Sequence, residues 1–374
     1  MVGRRGSSAW SAAVVGIVAS CVILSTGLVR GQAEKPAEKP AEQRTPQAWI
    51  QELESGDIDR VEAATRAICQ LGPQAAPIVP DLIRILEQDR TENRRHVLAI
   101  VQVIGPVAKD AVPAIRKKLF HEEFHTQYWA CRALGAIGPD AKDGAADLGK
   151  LLSTRYTASV RRNAATALGK IGPGIGIERV ELLTDLLRDR NHPVRVDAAI
   201  ALADLGPAAK VAVPELRAAL LDTRRDIRVP TVIALWKITN KSDDLIPVLF
   251  EEMETGSLPW EAAQALAVFG DAAKPYVPKL IERLKDSEND DQKATYIDAL
   301  AAIGPAARAA ESEIRKYLEH ENEELAEAAQ EALEKIGAVA AKPAQPKADG
   351  IPPAVPERIK PDAKPAGNPL EKSK

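Results

Sequence analysis

The sequence predicts an all-α fold, an α-α superhelix (solenoid) of about nine helix pairs. Three observations predict it: a punctuation that recurs every 31 to 34 residues, an Ala- and Leu-rich composition with 4% aromatic residues, and a proline at a fixed distance after many of the punctuation marks. A large single core draws on Phe, Tyr and Trp; a chain this poor in them packs helices closely instead, because Ala costs least in a helix and lets backbones approach.

The punctuation is an aliphatic residue followed by Gly-Pro: Leu71-Gly72-Pro73, Ile104-Gly105-Pro106, Ile137-Gly138-Pro139, Ile171-Gly172-Pro173, Leu205-Gly206-Pro207 and Ile303-Gly304-Pro305. Degenerate copies are Ile238-Thr239-Asn240, Phe269-Gly270-Asp271 and Ile336-Gly337-Ala338. A fixed period of this length marks a repeat architecture. Each mark ends a helix: glycine supplies a left-handed cap, and the proline after it stops the helix from continuing. Four residues before the glycine position stands Ile, Val or Leu in every copy, and five before it stands Ala in all but the second, which has Ile100. Such offsets trace one stripe on an inner helix, and small residues along it allow a tight neighbour. Eight residues after the mark come Pro80, Pro113, Pro214, Pro247 and Pro278. Proline is tolerated in a helix's first turn, so an outer helix starts there, and a short polar turn joins it to the inner one. In the sixth repeat Pro230 falls inside the inner helix and is expected to bend it.

Two further marks make the repeat specific. Asp189 is followed by Val194-Arg195 and Ala198-Ala199, and Asp222 by Ile227-Arg228. These residues resemble the Asp…Val-Arg…Ala signature of HEAT repeats. The short period and the Ile-Gly-Pro ending resemble the subclass named for phycobilisome lyases. The resemblance covers about residues 45 to 337 and implies a ladder of Asp and Arg side chains along the stack, here Asp189, Arg195, Asp222 and Arg228. Arg94, Arg161, Arg195, Arg228 and Lys293 share the ladder's basic offset, and the other repeats lack a basic residue there.

The domain order that follows is a signal peptide or membrane anchor over 1–33, a Pro-punctuated charged linker over 34–44, the solenoid over 45–338 and a Pro/Lys-rich tail over 339–374. Arg4 and Arg5 precede an apolar run from Ala9 to Leu28, with small residues at Gly31-Gln32-Ala33 for cleavage. The same run is long enough to stay as an anchor, and Val18-Ala19-Ser20-Cys21 resembles a lipobox that would place lipid on Cys21. In each case the chain is exported, and a membrane is met only through the N-terminal segment. The tail's composition cannot bury a core and is expected to be disordered. Cys69 and Cys131 lie two repeats apart, too far for a disulfide, and read as reduced, buried, small apolar residues.

His121-Glu122-Glu123-Phe124-His125 matches H-E-x-x-H, a zinc-hydrolase motif that requires one continuous helix. His121 stands at the offset of Asp189 and Asp222, where the outer helix turns into the inner one, so a turn is expected to point the imidazoles apart. The di-iron hydroxylase of deoxyhypusine, a HEAT-like enzyme, uses four His-Glu pairs on inner helices. This chain has two, His121-Glu122 and His320-Glu321, both in turns. No cofactor, metal ligand set or catalytic residue is called for. A net charge of −3 and an export signal argue against nucleic acid.

Surface charge is what remains. Residues 81–240 have a balance of +6 and residues 241–340 one of −12. Arg95, Tyr128, Arg132 and Arg162 lie on inner helices off the packing stripe and should line the concave face. Arg and aromatic residues are what binding hot spots favour. The expected function is therefore an exported protein-binding scaffold with no catalysis of its own, its partner presenting an acidic surface. The alternative is an enzyme or accessory protein of the HEAT-like lyase or metal-dependent class.

Overall fold

A computed structural model describes residues 45–88, 93–221, 227–256 and 259–337. The N-terminal segment with Cys21, the 34–44 linker, the tail and the ladder residue Asp222 lie outside them. Among the described residues there are eighteen α-helices and no strand. They alternate along the chain as outer and inner members of nine pairs.

The outer helices are α1 (Pro46–Leu53), α3 (Val79–Glu87), α5 (Val112–Lys118), α7 (Ala145–Lys150), α9 (Ile177–Asp185), α11 (Val213–Leu220), α13 (Ile246–Thr255), α15 (Val277–Asp286) and α17 (Glu311–Ile314). The inner helices are α2 (Ile58–Leu71), α4 (Arg94–Ile104), α6 (Phe124–Ile137), α8 (Ala158–Ile171), α10 (His192–Leu205), α12 (Arg228–Thr239), α14 (Pro259–Ala265), α16 (Asp290–Ile303) and α18 (Glu323–Lys335). Pro80, Pro113, Pro214, Pro247 and Pro278 each sit in the first turn of an outer helix, where no N–H is missed.

Each Gly-Pro mark ends an inner helix, but not in the left-handed α conformation. Gly138, for example, has φ 74° and ψ −137°, a region reserved for residues without a Cβ. The true left-handed cap is Asn240, at φ 54° and ψ 32°, in the repeat that lacks Gly-Pro. Beyond most of the marks the chain runs through a seven-residue 3₁₀ segment, such as Gly105–Ala111, before the next outer helix. In the fifth repeat this segment shortens to Pro173–Ile175.

Pro230 does not bend its helix. It is the third residue of α12, where backbone N–H groups have no intrahelical acceptor anyway.

The inner helices stack on one another through small residues. A Cβ at Gly135 of α6 would stand 3.0 Å from Ala167 Cα of α8, and one at Gly169 would stand 2.8 Å from Ala201 Cα of α10. Ala167 and Ala201, each five before a mark, are thus the floor on which the preceding helix rests. The fully buried residues four before it, Ile68, Val101, Leu134, Leu168, Leu202, Leu235, Leu266 and Leu300, form the spine of one continuous core. Cys131 is buried within it, and burial pushes its thiol far above the ordinary range. Cys69 is only half-buried, since the first inner helix has an inner neighbour on one side alone. Arg94–Lys118 is apolar and long enough in composition to cross a membrane, but Gly105 and Pro106 break it into two helices and most of it is buried in the stack.

Candidate functional site

Two rows of polar side chains run across the repeats. The first lies in the turns between outer and inner helices. Arg161, near the start of α8, donates from Nε to Asp189 Oδ2 at 2.9 Å and from Nη2 to Asp189 Oδ1 at 2.8 Å. Asp189 belongs to the next repeat. Both side chains are 1% exposed. Asp189 Oδ1 also accepts from the Asn191 N–H at 2.8 Å, and Arg195 Nη1 donates to the Asp189 carbonyl at 2.9 Å. Burial draws the Asp189 carboxyl upward, but the Arg161 and Asn191 bonds outweigh it and hold it below its ordinary value.

The same step recurs with other residues. Arg94 Nη1 meets Nε2 of His121, one repeat on, and His121 Nδ1 lies 3.1 Å from the Glu123 N–H. Arg228 reaches Glu252 at 2.6 Å and Glu251 at 2.8 Å. Lys293 pairs with Asp290 at 3.0 Å, which faces His320 of the last repeat. Arg94 and Arg161, each eleven before a mark, thus grip the turn seventeen before the next mark, whereas Arg228 reaches the outer helix α13 and Lys293 a residue of its own helix. This assigns His121 a structural role. It lies in the turn before α6, whereas His125 is in the first helical turn, exposed, its ring tilted against Phe124 with centroids 3.8 Å apart. No group of three or more His, Cys, Asp or Glu side chains among the described residues is placed to hold a metal.

The second row lies on the open face of the inner helices and contains the sequence-predicted binding residues. Tyr128 and Arg132 are brought together: Arg132 Nη1 donates to the Tyr128 hydroxyl at 3.0 Å, and its Nε donates to Gln102 Oε1 of α4 at 2.9 Å. The Arg132 guanidinium carbon lies 5.4 Å from the ring centroids of both Tyr128 and Trp129. The other two arginines keep separate company. Arg95 is exposed and donates to its neighbour His96 at 3.1 Å. Arg162 is paired with Asp197 of the next repeat at 2.6 Å, so it is solvent-facing without being free of the stack. Burial raises the Asp197 carboxyl above its ordinary value, and Arg162 opposes that rise.

Sequence reasoning missed Trp129, Lys170, Asp204 and Lys237 on this face. Lys170, Asp204 and Lys237 share one offset, two before the mark, and reading that offset across repeats would have found them. Lys237 pairs with Asp204 at 3.7 Å. Loss of water chiefly, and the Arg132 charge next, hold the Lys170 amine below the ordinary lysine range.

A HEAT-repeats family model matches residues 145–236 and 277–344. No curated protein matches the sequence. Among solved structures, the karyopherin Kap121p bound to Ste12p superposes with a TM-score of 0.52 at 16% identity, over 78% of this chain and 38% of the karyopherin. Kap121p bound to the extreme C-terminus of the protein phosphatase Cdc14p gives 0.51 at 16% identity, over 78% and 41%. An engineered protein matches at 24% identity with a TM-score of 0.44, over 79% of this chain and 89% of its own. This chain spans about two fifths of the karyopherin, and the likeness is one of fold. The repeat punctuation, the paired-helix stack, the Arg161–Asp189 step and the family match agree: residues 145–236 and 277–344 of this chain are HEAT repeats.

Proposed function

We propose that this protein is an exported scaffold that binds a protein partner on the inner-helix face of its second to fourth repeats and carries out no chemistry of its own. One observation carries the reading. Arg132 is framed by Tyr128 and Trp129 and held by Gln102, and it forms no ion pair among the described residues. A pre-oriented arginine beside two aromatic rings is the composition of a binding hot spot, and a rigid repeat face loses little entropy on binding. Export is supported by the sequence alone, through Arg4, Arg5 and the apolar run after them. The karyopherin structures, of similar fold and bound to the extreme C-terminus of Cdc14p or to Ste12p, support a protein partner.

The test is affinity capture from the envelope fraction with the tagged full chain and with its Arg132→Glu/Arg162→Glu variant, compared by quantitative mass spectrometry. The reading expects a protein enriched by the wild type, depleted at high salt because exposed charge pairs are screened, and lost from the variant. Equal capture by a variant with an unchanged helical circular-dichroism spectrum would place the interface elsewhere.

A further inference from the structure

The second polar row is uneven, and its unevenness points to a ligand. At the step from the fourth repeat to the fifth, Arg162 has Asp197; at the next, Lys237 has Asp204. At the step from the third repeat to the fourth, two cations on adjacent inner helices, Arg132 of α6 and Lys170 of α8, have no carboxylate within ion-pairing distance among the described residues; Asp204 of α10 acts on Lys170 only from farther off.

Their approach is built into the backbone packing. Gly135 lies one turn beyond Arg132 on α6. Its missing side chain lets α8 close in, and it leaves the track along which the Lys170 stem lies: a Cβ there would be 3.6 Å from Lys170 Cδ. Loss of water first, and the Arg132 charge second, lower the Lys170 amine, while the Asp204 charge opposes them. Arg132 is oriented by Gln102 and Tyr128 through Nε and Nη1, which leaves its Nη2 edge unbonded among the described residues. That edge and the lysine amine offer charge-assisted donors of the kind that carboxylates take up strongly.

We infer that Arg132 and Lys170 form an anion clamp that receives the carboxylates of a short acidic segment of a protein partner, with Tyr128 and Trp129 as the platform beside it. The clamp rests on the binding-face reading and names the chemistry recognised there. A protein segment fits better than a continuous polyanion. Arg162 and Lys237, the next cations along the face, are already engaged by Asp197 and Asp204, so a nucleic-acid backbone or an anionic bilayer running past the clamp gains no further ion pair from them, whereas a local run of Glu or Asp needs none.

The full chain is titrated at low salt with a Glu–Gly repeat peptide and, as control, its Gln–Gly counterpart, by calorimetry and by tryptophan emission, since Trp129 borders the clamp. The Glu peptide should bind and the Gln peptide should not. Lys170→Ala and Arg132→Gln should each weaken binding by about tenfold or more, the loss of a charge-assisted contact. Lys170→Gln keeps the stem over Gly135 and separates lost charge from lost packing; it should weaken binding as much as Lys170→Ala. Glu-peptide binding that ignores these substitutions overturns the clamp. So does tighter, clamp-dependent binding of duplex DNA or of phosphatidylglycerol vesicles. Failure of the binding face itself is read separately, from envelope capture that survives Arg132→Glu/Arg162→Glu.

Discussion

The guanidinium of Arg161 and the carboxylate of Asp189, 28 residues apart in sequence, meet through two parallel hydrogen bonds with almost no exposure of either side chain. The pair joins the inner helix of one repeat to the turn of the next, so it fixes the register of the stack at its centre. Removing one partner of a buried pair strands the other, at a cost of about 3–5 kcal/mol. Asp189→Ala should therefore lower the urea midpoint strongly, and the double variant Arg161→Met/Asp189→Leu should lower it less than either single change. The pH dependence has a definite sign. The folded-state pKa of Asp189 is depressed, so its contribution is present above the unfolded value of about 4 and is lost as pH falls through the folded value. Wild type should lose stability there faster than Asp189→Ala. Equal slopes in acid denaturation would show that the pair does not hold the stack.

His121 occupies the place of Asp189 in the third repeat and serves it less well. Asp189 accepts from Arg161 of the preceding repeat and from the N–H two residues on. His121 faces two equivalent donors, Arg94 and the Glu123 N–H, but an imidazole accepts at one nitrogen at most. His121→Asp should raise thermal stability by about 1 kcal/mol, the worth of one further hydrogen bond, with the helical content unchanged. A loss of stability would mean that the ring's packing outweighs its bonding.

The repeat, its two helices and the small-residue stripe were legible because helix periodicity and Gly-Pro punctuation are local signals. The Pro230 bend failed for a reason of register: a boundary shift of a few residues turns a helix-breaking proline into a first-turn proline, and periodicity does not fix boundaries that finely. The partners of the arginines were legible only in part. Tyr128 and Arg132 share a helix at i, i+4 spacing, whereas Arg162–Asp197 and Arg132–Gln102 span 35 and 30 residues, a pairing that depends on how one helix is rotated against the next. The H-E-x-x-H string was readable as a turn because its offset within the repeat was known before its chemistry was considered.

Gly169 sets the approach of α8 to α10. A Cβ there would stand 2.8 Å from the Ala201 backbone and 3.1 Å from its side chain. Gly169→Val should destabilise by about 2–3 kcal/mol, since overpacking forces the backbones apart and β-branching adds no helical gain that offsets it. Gly169→Ala is the finer test. Its helix-propensity gain of about 1 kcal/mol opposes the clash, so it should cost less than the valine and still leave the protein below wild type in chemical denaturation. Stabilisation by Gly169→Ala would mean that the helices separate at no cost.

Arg162 decides whether the binding face and the stack draw on the same side chain. Asp197 sits in a site whose desolvation raises its carboxyl, and Arg162, 2.6 Å away, opposes that rise. Because the folded pKa lies above the unfolded one, ionised Asp197 works against folding. The favourable balance is present below the unfolded value of about 4 and is lost as pH rises through the folded value. Arg162→Gln removes the opposing charge and should enlarge that loss at pH 7, by about 1 kcal/mol or less because Arg162 is 44% exposed. Near pH 3 Asp197 is protonated with or without the arginine, so wild type and variant should converge. Asp197→Asn in the Arg162→Gln background should recover the difference at pH 7. Urea midpoints at the two pH values check all of this. A penalty equal at both would show that Arg162 contributes packing rather than charge, which would leave its charge unspent and open to a partner.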